Sequence, residues 1–173
     1  MGKKISFSLS ESSIDAAIKE LDAYKQDFLK KVETLRNKIA ERIAAYAQEG
    51  FNGAIVDDII DGSPREAEVD VSFNDRGGMT VVVAKGVDAI WVEFGAGVYH
   101  NGSTGTSPHP YGPELGFIIG GYGKGKGKRK VWGYKDDSNQ LVLTHGTPAK
   151  MPLMKAVLSV SNDIPDLVRE VFG

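Results

Sequence analysis

The sequence contains no cysteine, which excludes disulfide bonds, thiolate metal ligands and thiol nucleophiles together. Its three histidines are far apart and stand beside no cluster of carboxylates, so the spacing of a zinc site is missing. No stretch approaches the roughly 18 consecutive apolar residues of a transmembrane helix. Near the N-terminus, apolar residues alternate with serines instead of forming the core of a secretion signal. We therefore expect a cytosolic chain without a metal, another cofactor or a membrane anchor.

Length and composition indicate one globular domain. With 173 residues, 41% of them apolar, the chain is long enough to bury a core of its own, and we expect a single domain over residues 1–173. The net charge of −2 gives no overall attraction to nucleic acid or to anionic membranes. Any such attraction must come from a local cluster of positive charge.

A long amphipathic helix is predicted in the N-terminal third. Ser12 or Ser13 is suited to cap its first turn, and Gly50 is suited to end it. The apolar residues in between recur at helical spacing: Ile14, Ile18, Leu21, Tyr24, Phe28, Val32, Leu35, Ile39, Ile43 and Tyr46. Such a helix is roughly 55 Å long, whereas a compact domain of this size is ~35 to 40 Å across. Either part of it overhangs and needs a partner, or it bends around its own core or breaks near Lys30.

The rest of the pattern predicts hairpins, short helices and one long insertion. In order, these are an N-terminal arm at residues 1–11 with a short strand at 5–9, a hairpin of 68–74 with 79–84, a buried helix at 88–94, a flexible insertion at 96–130, a hairpin of 131–134 with 140–144, a helix opening at Pro152 and a second short helix at 164–172. We predict an α+β fold in which the long N-terminal helix and the C-terminal helix pack on a small, mainly antiparallel β-sheet, with a long glycine-rich loop or hairpin inserted.

The insertion carries a concentrated positive charge. Residues 118–134 read IIGGYGKGKGKRKVWGY, which meets the G-x-x-x-x-G-K pattern of a phosphate-binding loop. However, Gly127 stands where a hydroxyl should bind Mg²⁺, and the residues after it do not start a helix, so nucleotide binding is not expected. The cations that could instead contact DNA phosphates are Lys124, Lys126, Lys128, Arg129 and Lys130. The other interpretation is a solvated hairpin tip that these charges keep soluble.

Catalytic patterns are weak. A Mg²⁺-dependent nuclease needs paired acids, and the candidates are Asp57, Asp58, Asp61 and Asp70. The first three precede a Gly-Ser-Pro turn, where acids commonly face solvent. Ser103 and Ser107 lie near His109 in the sequence, but neither is part of a G-x-S-x-G elbow. We do not expect an enzyme, and a nuclease is the less favoured alternative.

Two segments have a more specific character: AIWVEFGAG at 89–97 and VWGYKDDSNQLVLTHGTPAKMPLMKAV at 131–157. Together they resemble the tail-completion, or head-to-tail joining, proteins of long-tailed bacteriophages. That family typically shows Val-Glu-Phe-Gly, a variable insertion, and Gly-x-Pro-Ala-x-Pro-Phe-Met-x-x-Ala opening the last helix. The matching residues are Val92, Glu93, Phe94, Gly95, Gly146, Pro148, Ala149, Pro152, Met154 and Ala156. Leu153 stands where phenylalanine is usual, and Ala96 where threonine often follows the glycine. The resemblance covers about residues 12–160.

The resemblance implies a non-enzymatic structural protein of the virion neck, present in the host cytoplasm before assembly. It implies a homo-oligomeric ring of six subunits, with twelve as the alternative, that contacts the head connector or stopper protein and the tail tube protein. In such a ring the cationic hairpin would project into the channel and touch phage DNA without sequence specificity, or reach an acidic patch on the connector. The alternative class is a free-standing nucleic-acid-binding protein that uses the 124–130 loop.

The resemblance also suggests which residues mediate assembly. These are Trp91, Glu93, Phe94, Gly95, Pro148, Pro152 and Met154. Among them, Glu93 lies in an otherwise apolar segment, where an unpaired buried carboxylate would be costly. We expect it to face solvent or to pair with an arginine or lysine, either of its own chain or of a neighbouring subunit.

Overall fold

The computed structural model describes residues 5, 8–56, 65–97, 108–115 and 131–173. In these residues the helices are α1 (Glu11–Phe51), α2 (Ala89–Phe94) and α3 (Pro152–Phe172). The strands are β1 (Ile55–Val56), β2 (Arg65–Glu66), β3 (Asp70–Asp75), β4 (Thr80–Lys85), β5 (Ala96–Gly97), β6 (Trp132–Lys135), β7 (Leu141–Thr144) and β8 (Gly146–Thr147). The predicted α+β class, with a long N-terminal helix, a C-terminal helix and small antiparallel sheets, is confirmed.

Helix α1 is a single helix of 41 residues, about 60 Å long. It has no interruption near Lys30, so the predicted break is excluded. The large apolar side chains of its N-terminal half, from Ile14 to Val32, are 38–54% exposed, as expected where a helix overhangs. Its N-cap is Ser10, whose carbonyl accepts the first helical hydrogen bonds, and not Ser12 or Ser13. At the other end the helix includes Gly50 and ends at Phe51. A Cβ at position 50 would lie 2.8 Å from the Cβ of Pro152, so the close packing requires a residue without a side chain there.

Helix α3 lies antiparallel to the C-terminal half of α1. Pro152, at its start, packs against Gly50, and Phe172, at its end, lies with its ring centroid 5.7 Å from that of Phe28. Between these points Arg42 donates to Asp163 over 3.4 Å, and Lys38 pairs with Glu170. The buried residues of the two helices are mainly small, which allows close approach: Ala40, Ala44, Ala47, Ala156, Val160 and Leu167.

The prediction of a separate short helix at 164–172 is wrong, because α3 runs unbroken through Pro165. Proline has no N–H to donate to the carbonyl four residues earlier and its ring crowds that turn. The helix persists because Val160 and Leu167, on either side of Pro165, are both buried. A break at Pro165 would pull Leu167 away from its packing.

The predicted hairpin of 68–74 with 79–84 is confirmed as β3 and β4, which pair from Asp70 with Lys85 to Asp75 with Thr80. Its turn uses Gly77 and Gly78, whose φ angles of 54° and 96° favour glycine. Helix α1 holds the hairpin through Gln48, whose side chain donates to the Val69 carbonyl over 2.9 Å and accepts from the Val71 N–H over 2.7 Å. The hairpin and α1 are therefore joined by polar contacts as well as by packing.

The second predicted hairpin is also confirmed, as β6 paired with β7. In its turn the Asp136 carboxylate accepts from the N–H groups of Ser138 and Gln140 over 2.9 and 2.8 Å.

A central cluster of Phe51, Ala54, Val56 and Val92 forms the core where α1, β1 and α2 meet. Among the residues described, no helix is both long and apolar enough to cross a membrane.

Several predicted features lie outside the described residues. They are positions 6 and 7 of the short strand predicted at 5–9, most of the insertion at 96–130 with its glycine-rich segment, and the acids at positions 57, 58 and 61. The described residues of that predicted strand, Ile5, Ser8 and Leu9, are not in a strand. Of the insertion, Ala96 and Gly97 form β5, and residues 108–115 form a series of turns.

Candidate functional site: the junction of two distant segments

The two segments that carry the family resemblance meet in space. The C-terminal end of α2 contacts the residues that lead into α3, since the Lys150 N–H donates to the Val92 carbonyl over 2.8 Å. Directly after α2, strand β5 pairs with β8, and Ala96 lies opposite Thr147 and Gly97 opposite Gly146. Segments about fifty residues apart in sequence therefore form one structural unit, which we call the motif junction (residues 91–97 and 146–154).

Glu93 is at the centre of the motif junction and only 4% exposed. Its Oε2 accepts from the Leu153 N–H over 2.8 Å, and its Oε1 accepts from the Met154 N–H over 3.0 Å. These N–H groups belong to the first turn of α3, where no earlier helical carbonyl is available and where the helix dipole favours a negative charge. The carboxylate thus caps a helix that lies sixty residues away in the sequence.

The expectation that Glu93 faces solvent or pairs with an arginine or lysine is corrected by this arrangement. Its observed partners are the two backbone N–H groups and the ring of His109, whose Nε2 lies 3.2 Å from Oε1. Backbone donors at a helix N-terminus stabilise a carboxylate without the desolvation penalty of a second buried charge. A buried carboxylate is possible here because three donors replace the water that it loses.

His109 closes the motif junction from the side of the insertion. Its Nδ1 accepts from the Tyr111 N–H over 3.1 Å, which leaves Nε2 as the nitrogen that carries a proton toward Glu93. The ring is 5% exposed and packs on Phe94, with the ring centroids 4.3 Å apart. A histidine between two prolines in a glycine-rich loop gave no sequence signal for this role, because its partners come from other elements.

The remaining predicted assembly residues differ in how far they are buried. Gly95 is buried and ends α2 with a φ of 81°, and Pro152 is buried in the first turn of α3. Phe94, Pro148 and Met154 are half-buried, and Trp91 is exposed on α2. The structure therefore brings all seven predicted residues, Glu93 included, into the same region. Their contact with a neighbouring subunit stays a prediction.

A second buried carboxylate, Asp88, fixes the start of α2. Both of its oxygens accept from the Arg65 guanidinium over 2.8 Å, and one also accepts from the Glu68 N–H over 3.1 Å. The hydrogen bonds from Arg65 lower the pKa of Asp88 below its usual value of 3.8, although burial acts in the opposite direction. The sequence analysis did not predict the pair of Asp88 and Arg65. The one signal for it was that Asp88 directly precedes a short helix, a position where aspartate is common.

An open cleft of about 580 Å³ lies beside the motif junction, between the C-terminal end of α1 and the start of α3. Its polar lining is mixed in sign, with Lys150, Lys155 and Glu49 beside the ring of Tyr46. This combination suits a polar protein segment better than a small anion, which favours a wall of one charge.

Most residues of the other candidate sites lie outside the part of the chain that the structure describes. Lys124, Lys126, Lys128, Arg129 and Lys130 lie outside the described residues, as do Asp57, Asp58 and Asp61. Asp70, the fourth acid of the nuclease alternative, is exposed at the start of β3. In the portion of the chain that is described, no group of three or more histidines and carboxylates is arranged to hold a metal ion.

Comparisons with protein-family models, with curated proteins and with solved structures found no match. The resemblance to phage tail-completion proteins therefore depends on the quoted segments and on their order along the chain. What the geometry adds is that these segments form one buried, hydrogen-bonded unit.

Proposed function

We propose that this chain is a structural subunit of the neck of a long-tailed bacteriophage, where it completes the tail and joins it to the head connector. The observation that carries the proposal is the motif junction. The Val-Glu-Phe-Gly segment and the segment from Gly146 to Pro152, Gly-Thr-Pro-Ala-Lys-Met-Pro, resemble the family only in combination. Here the glutamate of the first caps the helix opened by the second. Residues that depend on each other structurally are expected to occur together in a family.

The proposed role is mechanical. A neck subunit must keep its shape while it is held between the head and the tail, so its elements need rigid connections. The motif junction supplies one, because Glu93 ties α2 to α3 and Pro152 fixes the backbone where α3 begins. The Asp88–Arg65 pair supplies another at the opposite end of α2.

Exposed apolar surface supports membership of an oligomer. On α3, Val157, Ile164 and Val168 follow one another at intervals of seven and four residues and are exposed along one flank of the helix. Trp91 on α2 is exposed as well. Such surface is a candidate for contacts between neighbouring subunits of a ring of six, or of twelve in the alternative. Contact with the connector and with channel DNA is assigned, as part of the proposal, to the cationic residues 124–130.

Genetic removal of the protein tests the proposal. A stop codon early in the reading frame should give full heads and tails that lack only this component, and the two should remain separate by electron microscopy. The intact gene supplied in trans should restore joined particles. Joined, infectious particles without the protein would contradict the proposal.

Charge reversal tests the proposed use of the cationic loop. Replacing Lys124, Lys126 and Lys128 together by glutamate should reduce joining or DNA passage while the purified subunit stays folded. The matched control reverses three exposed basic residues elsewhere, Arg76, Lys85 and Lys135, and the loop variant must show the larger defect. Normal particle yields from the loop variant would exclude this use of the loop.

A further inference from the structure

Helix α1 is longer than the part of the molecule that packs on it. Helix α3 ends where Phe172 meets Phe28, so residues 11–27 of α1 continue for about 25 Å beyond that point. Along this extension and its first overlap with α3, large apolar side chains are 38–54% exposed. They are Ile14, Ile18, Leu21, Tyr24, Phe28, Leu29 and Val32. A free helix with such a surface is unstable in water unless another surface covers it.

Five of these seven residues have the spacing of a coiled-coil seam. Positions 14, 18, 21, 25, 28 and 32 follow one another at alternating intervals of four and three residues, and five of the six are apolar. The exception is Lys25, in the middle. Tyr24 and Leu29 lie at the positions that flank this seam, so the apolar stripe as a whole is broader and keeps a period near 3.6 residues. A partner helix can cover a stripe of this width, with Tyr24 and Leu29 at the edges of the contact.

We propose that residues 14–32 of α1 pair with the same residues of a second copy of this chain, as an antiparallel coiled coil. In this register Ile14 of one copy lies opposite Val32 of the other, Ile18 opposite Phe28, and Leu21 opposite Lys25. Every layer then contains at least one apolar residue. The alternative parallel pairing would place Lys25 against Lys25 in the centre of the seam, with the two globular bodies side by side at one end.

The distribution of charge also favours the antiparallel direction. Residues 14–22 carry three acidic side chains and one basic one, for a net charge of −2, whereas residues 24–32 carry three basic and one acidic, for a net charge of +2. Antiparallel pairing places the negative half of each copy along the positive half of the other. It also brings Lys25 next to Asp22 of the second copy. Parallel pairing would set like charges against each other.

The area involved is sufficient for a stable contact. At roughly 200 Å² for each fully exposed large side chain, the seven half-exposed residues present about 700 Å² per copy. Two copies would bury about 1,400 Å², within the usual range of roughly 1,200 to 2,000 Å² for specific interfaces. The contact is isologous, so it closes at two chains and describes the free protein; a ring whose subunits all point from head to tail uses heterologous contacts instead. This inference does not depend on the neck function.

Sedimentation equilibrium of the full chain tests the pairing. At about 50 µM the wild type should have a mass of twice 18.7 kDa or an even multiple of it. The double variant Ile18→Gln/Leu21→Gln should dissociate with a dissociation constant raised at least about 100-fold. The control Ala23→Gln, on the opposite side of the same helix, should behave as wild type. A monomeric wild type, or a double variant that associates as strongly as wild type, would overturn the proposal.

The direction is tested by disulfide trapping, for which the absence of native cysteine is an advantage. An oxidised mixture of Ile14→Cys and Val32→Cys chains should give the mixed disulfide, and Ile14→Cys alone should give little dimer. Efficient cross-linking of Ile14→Cys to itself, without the mixed product, would show a parallel arrangement and overturn the antiparallel assignment. Both measurements use the purified protein, whereas the neck function is tested on phage particles. A negative result for the coiled coil can therefore be told apart from a negative result for the neck function.

Discussion

Replacing Glu93 by glutamine tests whether the motif junction holds α2 and α3 together. The variant keeps the size of the side chain and removes its charge. Because both carboxylate oxygens accept from N–H donors, with Leu153 on Oε2 and with Met154 and His109 on Oε1, either orientation of the amide places its NH₂ group against another donor. At least one backbone N–H therefore loses its acceptor.

The expected cost follows from the hydrogen bonds that the glutamine cannot make. A hydrogen bond to a charged group contributes about 1.5–3 kcal/mol, and a buried donor left unpaired costs about 1–3 kcal/mol. Removing the charge also removes the interaction with the dipole of α3, up to ~2 kcal/mol in partly buried sites. The variant has no carboxylate to desolvate on folding, which offsets part of these losses. We therefore expect the free energy of unfolding to fall by about 2–4 kcal/mol in total.

Urea unfolding followed by circular dichroism measures this loss. With a slope of about 2 kcal/mol per molar urea, the midpoint should fall by about 1–2 M. The matched control is Glu33→Gln, the same change at an exposed position of α1, which should alter the unfolding free energy by less than about 0.5 kcal/mol. If Glu93→Gln were no more destabilising than Glu33→Gln, the capping role of Glu93 would be refuted.

Three further changes have defined outcomes. The pKa of Asp88 is lowered by Arg65, so its carboxylate stabilises the fold above its usual pKa of 3.8, and this contribution is lost as the pH falls through the lowered folded-state pKa. Asp88→Asn should therefore lower the free energy of unfolding by about 2 kcal/mol at neutral pH. Urea titrations at several pH values should show that this difference between wild type and variant becomes smaller below about pH 4. A difference that does not change with pH would contradict the assignment. Gly86→Ala should lower the stability measured by thermal unfolding by about 2–4 kcal/mol, because φ is 139° and a Cβ would overlap the Glu68 carbonyl. The control Gly53→Ala, where φ is 65° and the space around a Cβ is open, should lower it by about 1–2 kcal/mol. Equal losses of stability would show that the overlap with Glu68 has no effect. Pro165→Ala should stabilise α3 by about 1–3 kcal/mol in the same assay, since it restores a helical hydrogen bond, and a lower melting temperature would contradict this.

The elements that could be predicted are those encoded by local periodicity. The series from Ile14 to Tyr46 predicted α1, and its length correctly indicated an overhang. The turn-forming glycines placed the β3–β4 hairpin. The ends of elements were less accurate, because they depend on contacts remote in sequence. Gly50 resembles a helix stop, yet α1 continues to Phe51, and the glycine instead allows Pro152 to pack closely against the helix.

The polar contacts of the motif junction could be predicted only in part. The sequence identified Glu93 as a carboxylate in need of a partner, but the partner depends on where α2 ends in space relative to α3. One signal was available: Met151, the residue before the first turn of α3, has no side-chain oxygen to cap that helix. The first N–H groups of α3 therefore had to find an acceptor elsewhere. Nothing in the sequence identified which carboxylate would serve.

We propose that this chain is a subunit of the phage neck, and a cryo-electron microscopy map of the neck of the particle that carries it tests this proposal most directly. We predict rotationally repeated density between head and tail that fits the pair of α1, 41 residues long, and the antiparallel α3. A fully traced neck in which no subunit has this pair of helices would contradict it.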